Sequence, residues 1–259
     1  YDGFMEFHGF LRDNGSVGAR NLVGIIPAGK CANRFAFRVW QSFQSRDTEQ
    51  AGRVFPILHT HPCTLLQHDN QTAFRTLSNI GKNPNIASAV VVGIGCEQLS
   101  SKELSDEIAL ENKPTAYVTV EEHDGMEKAV QVATEAVETF LHESARIQRQ
   151  PFPIEKLTLA LKCGGSSAVS AVSCNPALGT ATDRIIAAGG SAVFPEILEN
   201  VGAEHLIKKR AKTKDIYEKI VSYIQDMEKQ IEATGFDIRG SEPTKGNIAS
   251  GLTTIEEKA

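Results

Sequence analysis

Short apolar runs at 21–29, 54–58, 86–94, 115–120, 156–162 and 190–194 alternate along the chain with longer stretches whose apolar residues recur at helical spacing. Runs of this length between turn residues predict buried strands, and strands alternating with helices predict a parallel sheet with crossover helices. The clearest helices fall at 125–145, striped by Met126, Ala129, Val130, Ala133, Val137, Phe140 and Leu141, and at 214–233, striped by Ile216, Ile220, Tyr223, Ile224 and Met227. Between them, Arg146 to Pro153 is polar and contains Pro151 and Pro153, the composition of a linker. The expected fold class is therefore α/β, with two Rossmann-like halves of mostly parallel sheet and flanking helices. The first domain is expected over 1–148 and the second over 149–259. From Gly235 the periodicity is lost, and the stretch reads as an ordered or ligand-contacting tail.

The chemistry sits where the apolar runs end. Cys31 follows NLVGIIPAGK, Cys96 follows SAVVVGIG and Cys163 follows LTLALK, while Cys63 closes His59-Thr60-His61-Pro62-Cys63 just after VFPIL. In open α/β sheets, ligands bind beyond the carboxyl ends of the strands, so soft donors at several strand exits predict one shared pocket. Imidazole and thiol on one short loop suit zinc or iron. For a single residue the plainer explanation is a strand-end His satisfied by backbone hydrogen bonds, or a Cys acting as a small buried hydrophobe.

Composition narrows the partners. The net charge is −5, and the 27 basic residues are dispersed except at Lys208-Lys209-Arg210, so a nucleic-acid partner is not expected. The apolar stretches fall far short of the roughly 20 residues that cross a bilayer, and no signal peptide opens the chain, which predicts a cytoplasmic protein without a membrane partner. Five cysteines in separate segments predict reduced thiols or metal ligands rather than disulfides. Opening on Tyr1 without an initiator Met, the chain reads as part of a longer polypeptide.

Other strand exits add candidates. Gly93 and Gly95 allow a sharp turn before Cys96 and Glu97, and a carboxylate beside a thiol can bind metal or act as a base. In LKCGGSSAVSAVSCNPALG, backbone N–H groups of Gly164, Gly165 and Ser166 can cradle an anion, and Asn175 is placed to cap a helix opened by Pro176. This segment has neither the Lys of a phosphate-binding P-loop nor dinucleotide spacing, which disfavours a nucleotide. Arg12 and Arg20 flank the turn Asp13-Asn14-Gly15, and an Arg fork suits a planar carboxylate. Glu196 and Glu199 follow Pro195, where they could join the pocket or simply complement a helix dipole.

The strings GFLRDNGSVGARN, KCAN, HTHPC, NPNIASAVVVGIGCE, LKCGGSSAVSAVSCNPALGTATDRIIAAGGSAVFPEILENVGAEHL and GNIASGLTTIEEKA occur in that order. In this the chain resembles the altronate and galactarate dehydratase family, which also includes the large subunit of sulfolactate sulfo-lyase. The resemblance implies a metal-dependent lyase: water is eliminated from a 2-hydroxy sugar acid to leave a 2-keto-3-deoxy acid, or sulfite from sulfolactate. It implies ferrous iron as cofactor, with manganese as a substitute, and the thiols also permit an iron–sulfur cluster. On this reading His59, Cys63, Cys96, Cys163 and Cys31 include the metal ligands. The catalytic set is drawn from His59, Glu97 and Glu196, with Glu97 or Glu196 as base. Arg12 and Arg20 hold carboxylates, and Gly164, Gly165, Ser166 and Asn175 hold substrate hydroxyls. The implied partners are a hydroxy-acid substrate, a small N-terminal domain or subunit of the same enzyme, and further copies in a homo-oligomer. The chain departs from the family at Pro62 and Thr64, where glycine is common, and at Ser167, where an acid is common. A domain that binds an acidic metabolite without turnover is the competing expectation.

Overall fold

The computed structural model describes residues 6–45, 51–63 and 66–257; Thr64 and both chain ends lie outside these. The chain divides into two compact units, Tyr1–Pro153 and Ile154–Ala259. The first unit begins with β1 (Glu6–Leu11) and β2 (Val17–Gly18) and continues through β3 (Leu22–Pro27), α1 (Asn33–Gln44), β4 (Val54–Pro56), α2 (Gln67–Lys82) and β5 (Ile86–Gly93). It closes with α3 (Ser101–Ala109), β6 (Thr115–Thr119), α4 (Met126–Ser144) and β7 (Gln150–Pro153).

Four of these strands form a parallel sheet in the order β4-β3-β5-β6. Every residue of β5 is buried, which explains its unbroken apolar sequence: both faces of a parallel sheet are covered by crossover helices. On one face Val23, Ile25, Val90, Val92 and Val118 pack with Phe35, Val39 and Phe43 of α1 and Ala129, Ala133 and Val137 of α4. On the other, Ile26, Ala89 and Val91 meet Ala73 and Leu77 of α2 and Leu104 and Ile108 of α3. Neighbouring positions on β5 thus serve opposite cores, as the period of two in a strand requires. The Ser100 hydroxyl accepts from Glu103 N–H and starts α3. The fold class is α/β, as expected.

A second sheet was not foreseen. β2, β1 and β7 form an antiparallel ribbon in the order β2-β1-β7. The stretch read as a linker is therefore partly a strand, with Pro151 opposite His8 and Pro153 opposite Glu6. An edge strand tolerates alternate prolines because the N–H groups they lack can face away from the partner.

The second unit pairs β8 (Thr158–Ala160) in parallel with β9 (Ser191–Val193), connected through α5 (Asn175–Ala187). It continues with α6 (Glu204–Arg210), α7 (Lys214–Glu232) and α8 (Lys245–Ala249). Its core gathers Val201, Ile224 and Ile238. Asn175 does not cap α5: the backbone is already helical at Cys174, and a π-helical turn at Ser170–Cys174 precedes Pro176. Proline removes an N–H and crowds the carbonyl four residues earlier, and a widened turn relieves both. Among the described residues, no helix is long and apolar enough to cross a membrane.

Candidate functional site

The strand order reverses between β3 and β5, since β4 lies on one side of β3 and β5 on the other. The crevice beyond the carboxyl ends at such a switch point is where open α/β sheets take ligands. Three loops meet there and are laced by backbone hydrogen bonds. Lys30 N–H, after β3, donates to His61 O at 2.7 Å, and Gln98 N–H, after β5, donates to Cys63 O at 3.0 Å. A Cβ on Gly29 would stand 3.0 Å from Cγ of Glu97 and 3.6 Å from Cα of Cys63, so glycine permits this approach. Gly95 turns the β5 exit with φ +118°, and a side chain there would strike Glu121.

The thiols of Cys31, Cys63 and Cys96 converge in this crevice. Cys31 hydrogen-bonds to Cys63, which raises its pKa; the charge of Cys63 adds to this, with burial, Cys96 and Glu97 contributing less. Its thiol thus keeps its proton more firmly than an ordinary cysteine. Glu97 accepts N–H bonds from Ile94 at 2.7 Å and Gly95 at 2.8 Å, so its carboxylate ties the turn. His59 Nε2 lies 2.8 Å from the carbonyl of Pro27, and its Nδ1 accepts the N–H of His61 at 3.2 Å. The second bond leaves Nε2 as the protonated nitrogen, which donates to Pro27. Asn33 braces the same loop by donating from Nδ2 to the carbonyl of His59 at 2.7 Å.

His61, which the sequence places with His59 and Cys63 on a loop suited to zinc or iron but not among the named ligands or catalytic residues, has a different environment. Its Nε2 is buried without a hydrogen-bond partner among the described residues, and its pKa is lowered by burial and by His59, against a smaller opposing effect of Asp69. The signal was present in the His-Thr-His spacing, but nothing local distinguishes the bracing ring from the free one.

Among the described residues, no group of three or more His, Cys, Asp or Glu is placed to hold a metal ion. In this crevice both nitrogens of His59 are engaged, both oxygens of Glu97 accept amide N–H bonds, and the free thiols of Cys31 and Cys63 share a hydrogen bond.

Arg12 and Arg20 lie elsewhere. Arg12 is 8% exposed, and its guanidinium donates to Pro84 O at 2.7 Å, Asn21 Oδ1 at 2.8 Å and Arg20 O at 2.8 Å. Asn21 and Pro84 lie just before β3 and β5, at the amino edge of the sheet. The eight residues of β5 place that edge roughly 25 Å from the thiols, too far for one small substrate to touch both. Burial, followed by the charge of Arg53, pushes Arg12 down to about 10. Arg20 is exposed on the same edge, its N–H donating to Asn85 Oδ1 at 2.9 Å.

Cys163 belongs to the second unit with its own neighbours. Glu196 accepts the Cys163 N–H at 2.8 Å and pairs with Lys162, while the Cys163 sulfur lies 3.5 Å from the Ser166 hydroxyl. A Cβ on Gly164 or Gly165 would meet nothing within 4 Å, so local packing does not demand glycine at either position. The tail read as ordered or ligand-contacting supports this loop: Asn247 Nδ2 and the Ser250 hydroxyl donate to Ser166 O at 3.1 and 3.3 Å. Asn175 is exposed on α5.

Residues 9–145 match the family described as D-galactarate dehydratase/altronate hydrolase, second domain, and residues 154–259 match D-galactarate/altronate dehydratase, C-terminal. The chain is 32% identical over 260 residues to an altronate dehydratase of Bacillus subtilis, covering 98% of this chain and 51% of that protein. It is 33% identical over 256 residues to the (2R)-sulfolactate sulfo-lyase subunit beta of Chromohalobacter salexigens, covering 98% and 62%. It is 29% identical over 271 residues to the L-threo-forming galactarate dehydratase of Escherichia coli, covering 98% and 50%. The chain spans about half the length of the curated relatives it matches.

Proposed function

Since this chain belongs to the D-galactarate/altronate dehydratase family, we propose that it forms part of a lyase that removes water from a sugar acid such as altronate or galactarate, leaving a 2-keto-3-deoxy acid. The observation that carries the reading is the meeting of Cys31, Cys63, Cys96, Glu97 and the His59–His61 loop at the β3/β5 switch point. The chemistry requires a base to take the proton α to the carboxylate and a donor to protonate the departing hydroxyl; the resulting enol then becomes the keto acid. In this crevice His61 Nε2 is a buried nitrogen without a hydrogen-bond partner among the described residues, and so the candidate proton acceptor. His59 and Glu97 serve by holding the loops in register.

In the second unit, the open loop at Gly164 and Gly165 lets a substrate approach its backbone, and the Ser166 hydroxyl and the Glu196 carboxylate, which is paired with Lys162, offer polar contacts to hydroxyl groups. The ferrous iron, manganese or cluster implied by the family has no ready ligand set in the described residues, so no proton transfer here is assigned to a metal. A sulfo-lyase acting on sulfolactate is the second reading, supported by the 33% identity to a subunit of such an enzyme. That relative's designation as a subunit also supports action together with a further polypeptide.

The test is an anaerobic assay of the full-length protein with altronate, galactarate and sulfolactate. Formation of 2-keto acid from a sugar acid, lost on His61→Ala and Cys96→Ser, is the expected result. Sulfite release would select the second reading, and tight binding of all three without turnover would replace catalysis with metabolite binding.

A further inference from the structure

At the amino edge of the first unit's sheet, a cavity of about 110 Å³ is lined by Arg12, Lys82, Ser88, Glu111, Lys113 and Ser144, among others. Nothing in the proposed chemistry uses it. Its floor is cationic: Arg12 and Lys113 are each 8% exposed. The Lys113 ammonium donates to Gly81 O at 2.6 Å and Asn83 O at 2.8 Å, which leaves a third N–H to place. Arg12 has five N–H groups, and its carbonyl and amide contacts occupy three of them.

Among the described residues, no matching negative charge lies at that depth. Lys82 lines the cavity, but its ammonium pairs with Glu107. Glu111 accepts from Asn14 Nδ2, and Asp13 and Glu143 are exposed at the rim. Burial, followed by the charge of Arg12, pushes Lys113 down to about 7, outweighing the opposing effect of Glu111. A cation loses its proton this readily when it is desolvated beside another cation.

An independent observation falls on the same wall. Ser88, on β5, is 2% exposed, lines the cavity, and its hydroxyl has no hydrogen-bond partner among the described residues. A buried hydroxyl without a partner costs free energy that a ligand oxygen would recover.

We propose that this cavity is a binding site for a small singly charged oxyanion, a simple carboxylate or bicarbonate, held by Arg12, Lys113 and the Ser88 hydroxyl. The volume admits only a few heavy atoms. The carboxylates of Asp13, Glu111 and Glu143 around the opening disfavour polyanions such as nucleotides, because like charges repel. A bound anion completes the donors of Lys113 and keeps it protonated. The site lies at the edge opposite the thiol crevice and does not depend on the lyase reading.

The test is calorimetric titration of formate, acetate and bicarbonate into the full-length protein, with inorganic phosphate as the polyanion comparison. The amide resonance of Ser88 is followed in parallel by NMR. At least one monoanion is expected to bind one per chain, more tightly than phosphate, and to shift the Ser88 amide. Losing one hydrogen bond to a charged ligand corresponds to roughly tenfold weaker binding, the effect expected of Ser88→Ala, and Lys113→Met is expected to abolish binding. Lys113→Met also removes a cap from α2; if it fails to fold, Ser88→Ala and the amide shift decide. The proposal is overturned if none of the three monoanions binds, if phosphate binds more tightly than all of them, or if binding survives Ser88→Ala unchanged.

Discussion

His59 reaches back across the crevice to Pro27, the last residue of β3, and donates its Nε2–H to the Pro27 carbonyl at 2.8 Å. With Nδ1 accepting from His61 N–H, the imidazole pins the β4 exit loop to the β3 exit. His59→Ala would leave a carbonyl and an N–H without their partner, costing about 1–3 kcal/mol. The expected outcome is a lower Tm of the metal-free protein and faster hydrogen exchange at the His61 amide. Unchanged exchange would show that the ring does not brace the loop.

Glycines at the two strand exits separate packing from ligand approach. Gly95 has φ +118°, and an added Cβ would lie 2.4 Å from a Glu121 oxygen and 2.7 Å from Glu121 Cβ. Gly95→Ala is expected to cost about 1–3 kcal/mol of stability. Gly164→Ala and Gly165→Ala meet open space and should leave Tm unchanged while lowering kcat/KM, because only a substrate would notice the methyl group. Thermal melts combined with steady-state kinetics of the full-length protein check both.

Lys113 confers a measurable pH dependence. Its folded-state pKa of about 7 lies below the ordinary 10.5, so the unfolded chain binds the extra proton between those values. Stability therefore rises with pH over that window, with a slope approaching about 1.4 kcal/mol per unit, and the penalty for burying the charge is greatest below pH 7. Lys113→Met is expected to flatten the rise, as read from denaturation midpoints between pH 7 and 10.

Asn247 links the tail to the thiol loop of the second unit. It completes a reciprocal cap with Thr244 at the start of α8 and donates to Ser166 O at 3.1 Å. Asn247→Ala should lower stability by about 1 kcal/mol, as loss of a helix cap does. It should also speed hydrogen exchange at Ala168, whose N–H donates to Ser250 O. Activity of the full-length protein is expected to fall through the loosened 163–166 loop.

The elements that were legible are those whose pattern is local. β5 is buried on both faces, so its apolar run had no other explanation, and the stripe from Met126 to Leu141 could form only an amphipathic helix. β1, β2 and β7 were missed because their information is not local: β2 is two residues long, and β7 carries two prolines that are acceptable only because it is an edge.

The chain's own order of residues determined that thiols stand at strand exits and that the strands are parallel, since apolar runs joined by helical stretches leave few alternatives. Only the tertiary structure decided which exits meet. The order β4-β3-β5-β6 brings Cys31, Cys63 and Cys96 to one crevice and leaves Arg12 at the opposite edge, because Arg12 is held by the loops that precede β3 and β5. The His59 ring is likewise held by the Pro27 carbonyl, distant in sequence, as well as by the neighbouring His61 amide. The bonding capacity of a side chain is written in its residue type, but which lone pair stays free depends on what the fold places against it.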